Sequence, residues 1–164
     1  MVKYMKKVTQ KDTTVKAKAA NLRVSFKKTY ETANAIQGMQ LTRAVAFLKN
    51  VIDKKEIVPF RKHNDGIGRK AQCKNHYLST QGRWPEKSAR ILLSLLQNLE
   101  SSAEYKQLDT KRIRIKHIAV LRAQQTRRRV FRAHGRINGH LRQPCHIQII
   151  GTQAGQSIAK KLKK

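Results

Sequence analysis

The stretch from Lys111 to Ile150 restricts the fold of this chain more than any other. It opens on a strand-like run, Arg112-Ile113-Arg114-Ile115-Lys116, and closes on another, Cys145-His146-Ile147-Gln148-Ile149-Ile150. Between them lies a dense basic segment, Thr126 to Asn138, and no acidic residue follows Asp109. Two strands joined by a long, cationic connection with few apolar residues predict an arm that leaves a globular body. The first strand also carries a phase change. Ile113 and Ile115 fall on one face and Ile118 and Val120 on the other, so the strand needs a bulge or a change in what its faces touch.

The remainder reads as the body that anchors this arm. Residues 1–20 are rich in Lys, Thr and Ala and predict a basic N-terminal tail, extended or disordered until a partner orders it. Asn21-Leu22-Arg23-Val24-Ser25-Phe26 alternates apolar and polar and predicts a half-buried strand. A helix follows from Thr29, its cap, to Gln37, with Gly38 supplying the left-handed stop. A second begins after Thr42, with Ala44, Val45, Phe47, Leu48, Val51 and Ile52 at helical spacing. From Glu56 to Gly82 the pattern breaks into a loop with clustered bases and glycines, long enough to imply contact with phosphates. The strongest helix starts at Pro85 and carries one apolar stripe, Ala89, Leu92, Leu93, Leu96, Leu99 and Ala103. Burying four leucines there contributes on the order of 6–12 kcal/mol before entropy is counted. The chain thus predicts helices and strands in one body that carries the basic arm. The single domain spans 21–154, and 155–164 form a short basic C-terminal tail.

Charge decides the class of partner. Lys and Arg number 37 against 9 Asp and Glu, a net charge of +28. A large polyanion is the natural complement, nucleic acid ahead of an anionic membrane surface. No apolar run is long enough for a spanning helix, and Met1 to Lys7 lacks the apolar stretch of a signal peptide. Cys73 and Cys145 read as free thiols in a reducing compartment. Cys73-x-x-His76 and Cys145-His146 are at most half of a zinc site, so no metal or other cofactor is expected. The acids are scattered, with no acid/base pair, nucleophile signature or phosphate-binding glycine motif, so the chain does not read as an enzyme.

Within the basic segment the cations are Arg127, Arg128, Arg129, Arg132 and Arg136, all arginine. Arginine grips phosphate with a planar fork and stacks on bases, which lysine does not. Phe131 and His134 add flat surfaces suited to unpaired bases. The helices look devoted to core and offer no recognition helix, so RNA is favoured over duplex DNA.

Several motifs in order resemble one family. They are Asn21-Leu22-Arg23-Val24, Val58-Pro59-Phe60-Arg61, Thr80-Gln81-Gly82-Arg83-Trp84-Pro85 with Lys87-Ser88-Ala89, and Arg127-Arg128-Arg129 through Arg132-Ala133-His134-Gly135-Arg136-Ile137-Asn138 into Pro144-Cys145-His146-Ile147. From about Asn21 to Ile150 the chain resembles the large-subunit ribosomal protein family called L twenty-two in bacteria and L seventeen in eukaryotes, in its eukaryotic form. The resemblance implies a structural constituent of the cytosolic large subunit, assembled in the nucleus or nucleolus, with ribosomal RNA and neighbouring ribosomal proteins as partners. It implies an α+β fold, a small antiparallel sheet packed against helices with a long β-hairpin arm over about 112–150 and basic tails, and a hairpin tip that lines the polypeptide exit tunnel beside the nascent chain, with no membrane insertion. By position the tip would span about Thr126 to Gly135, with Arg127, Arg128, Arg129, Val130, Phe131, Arg132, Ala133 and His134 at the tunnel. RNA contacts would come from Arg23, Arg61, Lys62, Arg69, Lys70 and Arg83 in the body, and from Arg127, Arg128, Arg129, Arg132, His134, Arg136 and Arg142 in the arm. Glu56 to Gly82 matches an insertion of eukaryotic members. Ala123-Gln124-Gln125 and Gly139 to Gln143 depart from the family pattern. The competing expectation is a non-ribosomal RNA chaperone or nucleic-acid architectural protein.

Overall fold

A computed structural model describes residues 4–6, 12–76 and 79–153. The expected C-terminal tail and residues 1–3 and 7–11 of the N-terminal one lie outside them. Three helices pack on one side of a three-stranded antiparallel sheet of order β1-β7-β4. These strands are β1 (Thr14–Leu22), β4 (Ile113–Arg122) and β7 (Cys145–Gln153). The α+β architecture expected from sequence is the one observed.

β1 begins inside the stretch read as tail. Val15 and Ala17 face the core while Lys16 and Lys18 face out, and the strand pairs with β7 from Thr14↔Thr152 to Leu22↔Cys145. The strand predicted over Asn21–Phe26 is therefore misplaced. Asn21 adopts φ +53, a left-handed conformation that Asn tolerates, and its N–H is taken by His146 Nδ1 at 3.0 Å instead of a ladder carbonyl.

Helix α1 (Phe26–Ile36) starts at Ser25, ahead of the predicted cap. Thr29 cannot cap because its buried hydroxyl already donates to Ser25 O at 2.9 Å and lies 3.0 Å from Ser88 Oγ. The stop is as expected: Gly38 takes φ +84. Its N–H then donates to Ile115 O (2.9 Å), and Ile115 N–H returns a bond to Met39 O (3.0 Å), stitching the turn after α1 to β4. Helix α2 (Leu41–Ile52) buries Leu41, Ala44, Phe47, Leu48 and Val51. Helix α3 (Glu86–Tyr105) buries the predicted stripe except Leu93, which is only half-buried; Leu95 takes its place.

In the sheet, α3 packs on β1 and α1 on β4. The closest approach is at Gly151 on the central strand. A Cβ there would stand 2.9 Å from Ile113 Cγ2, 3.1 Å from Leu99 Cδ2 and 3.2 Å from Val15 Cγ2. Hydrogen replaces a side chain so that helix and sheet can meet.

The phase change in β4 is a bulge. Ile115 pairs with Gly151 but His117 pairs with Ile150, leaving Lys116 as the extra residue. Beyond it Ile118, opposite Ile149, is buried again. The same two strands run on past the body as β5 (Thr126–Phe131) and β6 (Ile137–Arg142), paired from Thr126↔Arg142 to Phe131↔Ile137. Between the ladders, Ala123 to Gln125 stand opposite only Gln143 and Pro144, because Arg122 pairs with Cys145 and Thr126 with Arg142. A second one-residue excess thus sits on the ascending strand, at one of the stretches that depart from the family pattern.

Candidate nucleic-acid interface

The arm exposes every residue from Gln124 to Gln143. In residues 123–144 there are six arginines, no lysine and no acid. At about 3.3 Å per residue, the twelve-residue rise from Arg122 to His134 extends the ribbon by at most about 40 Å.

Pairing divides its side chains between two faces. One carries Thr126, Arg128 and Val130 opposite Arg142, His140 and Asn138. The other carries Arg127, Arg129 and Phe131 opposite Leu141, Gly139 and Ile137. The second face is amphipathic: Phe131, Ile137 and Leu141 are 76%, 49% and 56% exposed, a large apolar surface for a free ribbon. Gly139 lets the Arg127 side chain lie across the backbone, since a Cβ there would be 2.7 Å from Arg127 Nε.

The turn is tighter than the tip expected over Thr126–Gly135. Val130, Phe131 and Ile137 favour extended backbone, and pairing runs to Phe131↔Ile137. Only Arg132 to Arg136 turn, closed by Arg132 N–H to Arg136 O at 2.8 Å, with His134 and Gly135 left-handed at φ +57 and +68. Arg127, Arg128, Arg129, Val130 and Phe131 are therefore shaft residues. Arg132, Ala133, His134 and Arg136 surround an open hollow of about 600 Å³ at the end.

Where the arm leaves the body, a groove of about 880 Å³ opens between them. Arg23 and Lys87 line it from the body, and Arg127, Arg128, Arg142 and His140 from the arm. No acid is among its lining residues. Arg23 was expected at a site from sequence. Lys87 and His140 were not, and no sequence signal links them, because only the fold brings α3 beside the ribbon.

The insertion between α2 and α3 is held in place rather than loose. Short strands β2 (Val58–Pro59) and β3 (Gly82–Arg83) pair, and a single turn, Ala71–Asn75, packs Cys73 inside. Gly82 is required by this packing: a Cβ would meet Val58 O at 2.7 Å and Cys73 Sγ at 2.9 Å. The principal latch is Glu31 of α1, 1% exposed. Its carboxylate accepts the successive backbone N–H groups of Arg61 (3.0 Å), Lys62 (3.1 Å) and His63 (2.8 Å). Three converging donors make an anion nest, here filled by the protein's own carboxylate. Sequence reasoning missed it, because one acid on an otherwise basic helix reads as surface.

Aromatic contacts extend this latch to the arm. His63 lies edge-on to Tyr30 (5.5 Å) and Phe26 (6.1 Å), Lys62 Nζ sits 5.4 Å from the Tyr30 ring, and Arg122 caps Phe26 at 5.0 Å. Arg69 and Lys70 line a second open hollow of about 610 Å³ with Lys74 and His76, and Lys70 reaches the Trp84 ring at 6.0 Å. Arg83 is exposed on β3. Most of the predicted cations thus fall into three clusters, groove, arm end and insertion, while Arg129 stands on the shaft between groove and arm end.

Glu56 and both thiols are occupied structurally. Burial pushes Glu56 up, but bonds from Arg43 and Asn50 and the Arg43 charge outweigh it and hold the carboxyl below its ordinary value. Both cysteines are free and buried, and burial pushes both thiols up, away from the reactive thiolate. Among the described residues no three His, Cys, Asp or Glu side chains gather as a metal site, and no helix is long and apolar enough to cross a membrane.

The family described as Ribosomal protein L22p/L17e matches residues 17–152, which hold most of the sheet core, the insertion and the arm. The chain belongs to this family. A large ribosomal subunit protein uL22 of Phlebotomus papatasi is 52% identical over 160 residues, covering 98% of this chain and 86% of its own length. Proteins of the same name from Ixodes scapularis and Bombyx mori are 58% and 55% identical over 144 and 145 residues, each covering 88% of this chain and 77% of their own. The resemblance to eukaryotic members of the family read from the motifs is thereby established.

Proposed function

We propose that this chain is a structural constituent of the cytosolic large ribosomal subunit, that it binds and organises ribosomal RNA, and that the end of its arm forms part of the polypeptide exit tunnel. The observation that carries this reading is the ribbon itself. It exposes six arginines and no acid beyond a body that buries its own core. Such a ribbon gains little by folding alone, and its charge finds compensation among phosphates. The cations of the groove and the insertion offset repulsion where RNA segments approach one another. The stiff paired shaft then fixes where Arg132, Ala133 and His134 stand, beside the nascent chain. The role is positional, without a reaction of its own. Assembly with RNA and neighbouring ribosomal proteins in the nucleolus follows from the same reading.

Sedimentation of a lysate containing tagged chain tests it. The chain is expected in large subunits and polysomes, and cross-links from Arg129 and Arg132 positions are expected to reach large-subunit RNA. A chain that runs mostly apart from ribosomal particles would point instead to a free-standing RNA chaperone.

A further inference from the structure

The groove at the root of the arm has the chemistry of a binding site and two walls that belong to different parts of the molecule. Arg23 and Lys87 stand on the body; Arg127, Arg128 and Arg142 stand on the arm. Five cations line one hollow with no acid among them, Arg127 from the opposite face of the ribbon to Arg128 and Arg142, and they repel one another, a cost that an anion between them removes. The lining also includes Leu141 and Pro144, apolar surfaces that suit sugars and base faces rather than phosphate alone. Base faces are exposed in an unpaired strand and stacked away in a duplex, so an occupant that uses this apolar lining is single-stranded.

The backbone around it is the weakest part of the ribbon. The ladder is interrupted from Ala123 to Gln125, where only the Ala123 N–H to Pro144 O bond (3.0 Å) joins the two sides. An occupant touching both walls would therefore brace the arm at the place where its own hydrogen bonds do so least. We infer that this groove clamps a single strand of RNA, phosphates on the cations and sugar or base faces on the apolar patch, and that the bound strand sets the angle between arm and body. This rests on the RNA-binding reading above and names the strand type and the place.

The test uses the purified full chain with short single-stranded RNA oligomers of mixed sequence, the same oligomers annealed to their complements, and inorganic polyphosphate. Arg23→Ala/Lys87→Ala removes the body wall and leaves the arm untouched; Lys49→Ala/Lys111→Ala removes the same charge elsewhere on the body. The first is expected to weaken single-strand binding by roughly tenfold and to lower the salt slope by about 1.4, at about 0.7 per phosphate contact. The second should stay within about twofold, because scattered surface charges act only through a screened field. Unchanged urea midpoints confirm that both variants fold. Spin labels on Glu104→Cys and Ala133→Cys should show a distance distribution that narrows when the oligomer binds. Equal weakening by both variants, equal competition by duplex or polyphosphate, or an unchanged distance distribution would overturn the inference. A native chain that binds none of these RNAs would instead overturn the RNA-binding reading.

Discussion

Glu31→Ala is expected to release the insertion from the body while leaving the helices and sheet folded. The carboxylate is 1% exposed and accepts three backbone N–H groups at 2.8–3.1 Å, and alanine offers them nothing. A buried donor that loses its acceptor costs roughly 1–3 kcal/mol. Three such losses are not additive here, because Arg61 and Lys62 lie at the surface and water reaches part of the freed backbone, so about 3 kcal/mol in total is expected. Glu31→Gln keeps the shape, but its amide turns one donor toward the nest; about half that loss is expected. Urea unfolding gives the global cost, and hydrogen exchange gives its location: the amides of residues 61–63 should lose protection far more than those of Ile147 and Ile149. If Glu31→Ala stays within about 0.5 kcal/mol of the parent, a size typical of neutral surface changes, and leaves residues 61–63 protected, the latch has no energetic weight.

Gly151→Ala should lower the urea midpoint by an amount equivalent to about 1–3 kcal/mol, since the new methyl must displace Ile113, Leu99 or Val15; an unchanged midpoint would show that helix and sheet can part freely. Because the Glu56 pKa is depressed, its contribution is present above the ordinary carboxylate value of 4.5 and is lost as pH falls through the lowered one. The stability gap between parent and Glu56→Gln should accordingly close as pH drops below about 4.5, and a gap constant across that range would contradict the Arg43–Glu56 pairing as its source. Neither thiol should react with an aromatic disulfide reagent in the native chain near neutral pH, and both should do so in urea; rapid native reaction would contradict their burial. In the RNA-free chain, amides of Thr126 to Arg142 should exchange faster than those of β7, since the ribbon has no packed face; equal protection would show that it is stable by itself.

Much of the fold was legible where apolar residues keep a period. The α3 stripe, the α2 face and the two strand-like ends of the arm follow from spacing, and so did the irregularity in β4, because Ile113, Ile115, Ile118 and Val120 are large enough to mark faces. β1 was not legible: its inward residues after Val15 are alanines among lysines, a composition that also suits a tail. The start of α1 was missed because Thr29 resembles a cap, and only the neighbouring Ser88, distant in sequence, shows what its hydroxyl does. Cations on the arm were readable as a class, yet their grouping was not. Arg23, Lys87 and Arg127 share a groove only through the fold, and the Glu31 nest depends on backbone donors that carry no residue signature. The turn itself is narrower than the tip that the resemblance implied, because Val130, Phe131 and Ile137 carry the ladder up to Arg132.

The two extra residues on the ascending strand have a consequence for how the arm presents itself. Along an extended chain, facing alternates between odd and even positions. The descending strand keeps one count throughout, so Ile137 and Leu141 share the odd set with Cys145, Ile147 and Ile149, the residues that look into the core. On the ascending side that set is odd at Ile113 and Ile115, even at Ile118 and Val120, and odd again at Arg127, Arg129 and Phe131. Each insertion inverts the parity and the second restores it. One without the other would set Thr126 opposite Leu141 and Arg128 opposite Gly139, in place of Arg127 and Arg129, and trade Phe131 for Val130 opposite Ile137. Together they leave the facing intact and add twist, so the ribbon is turned without being turned over.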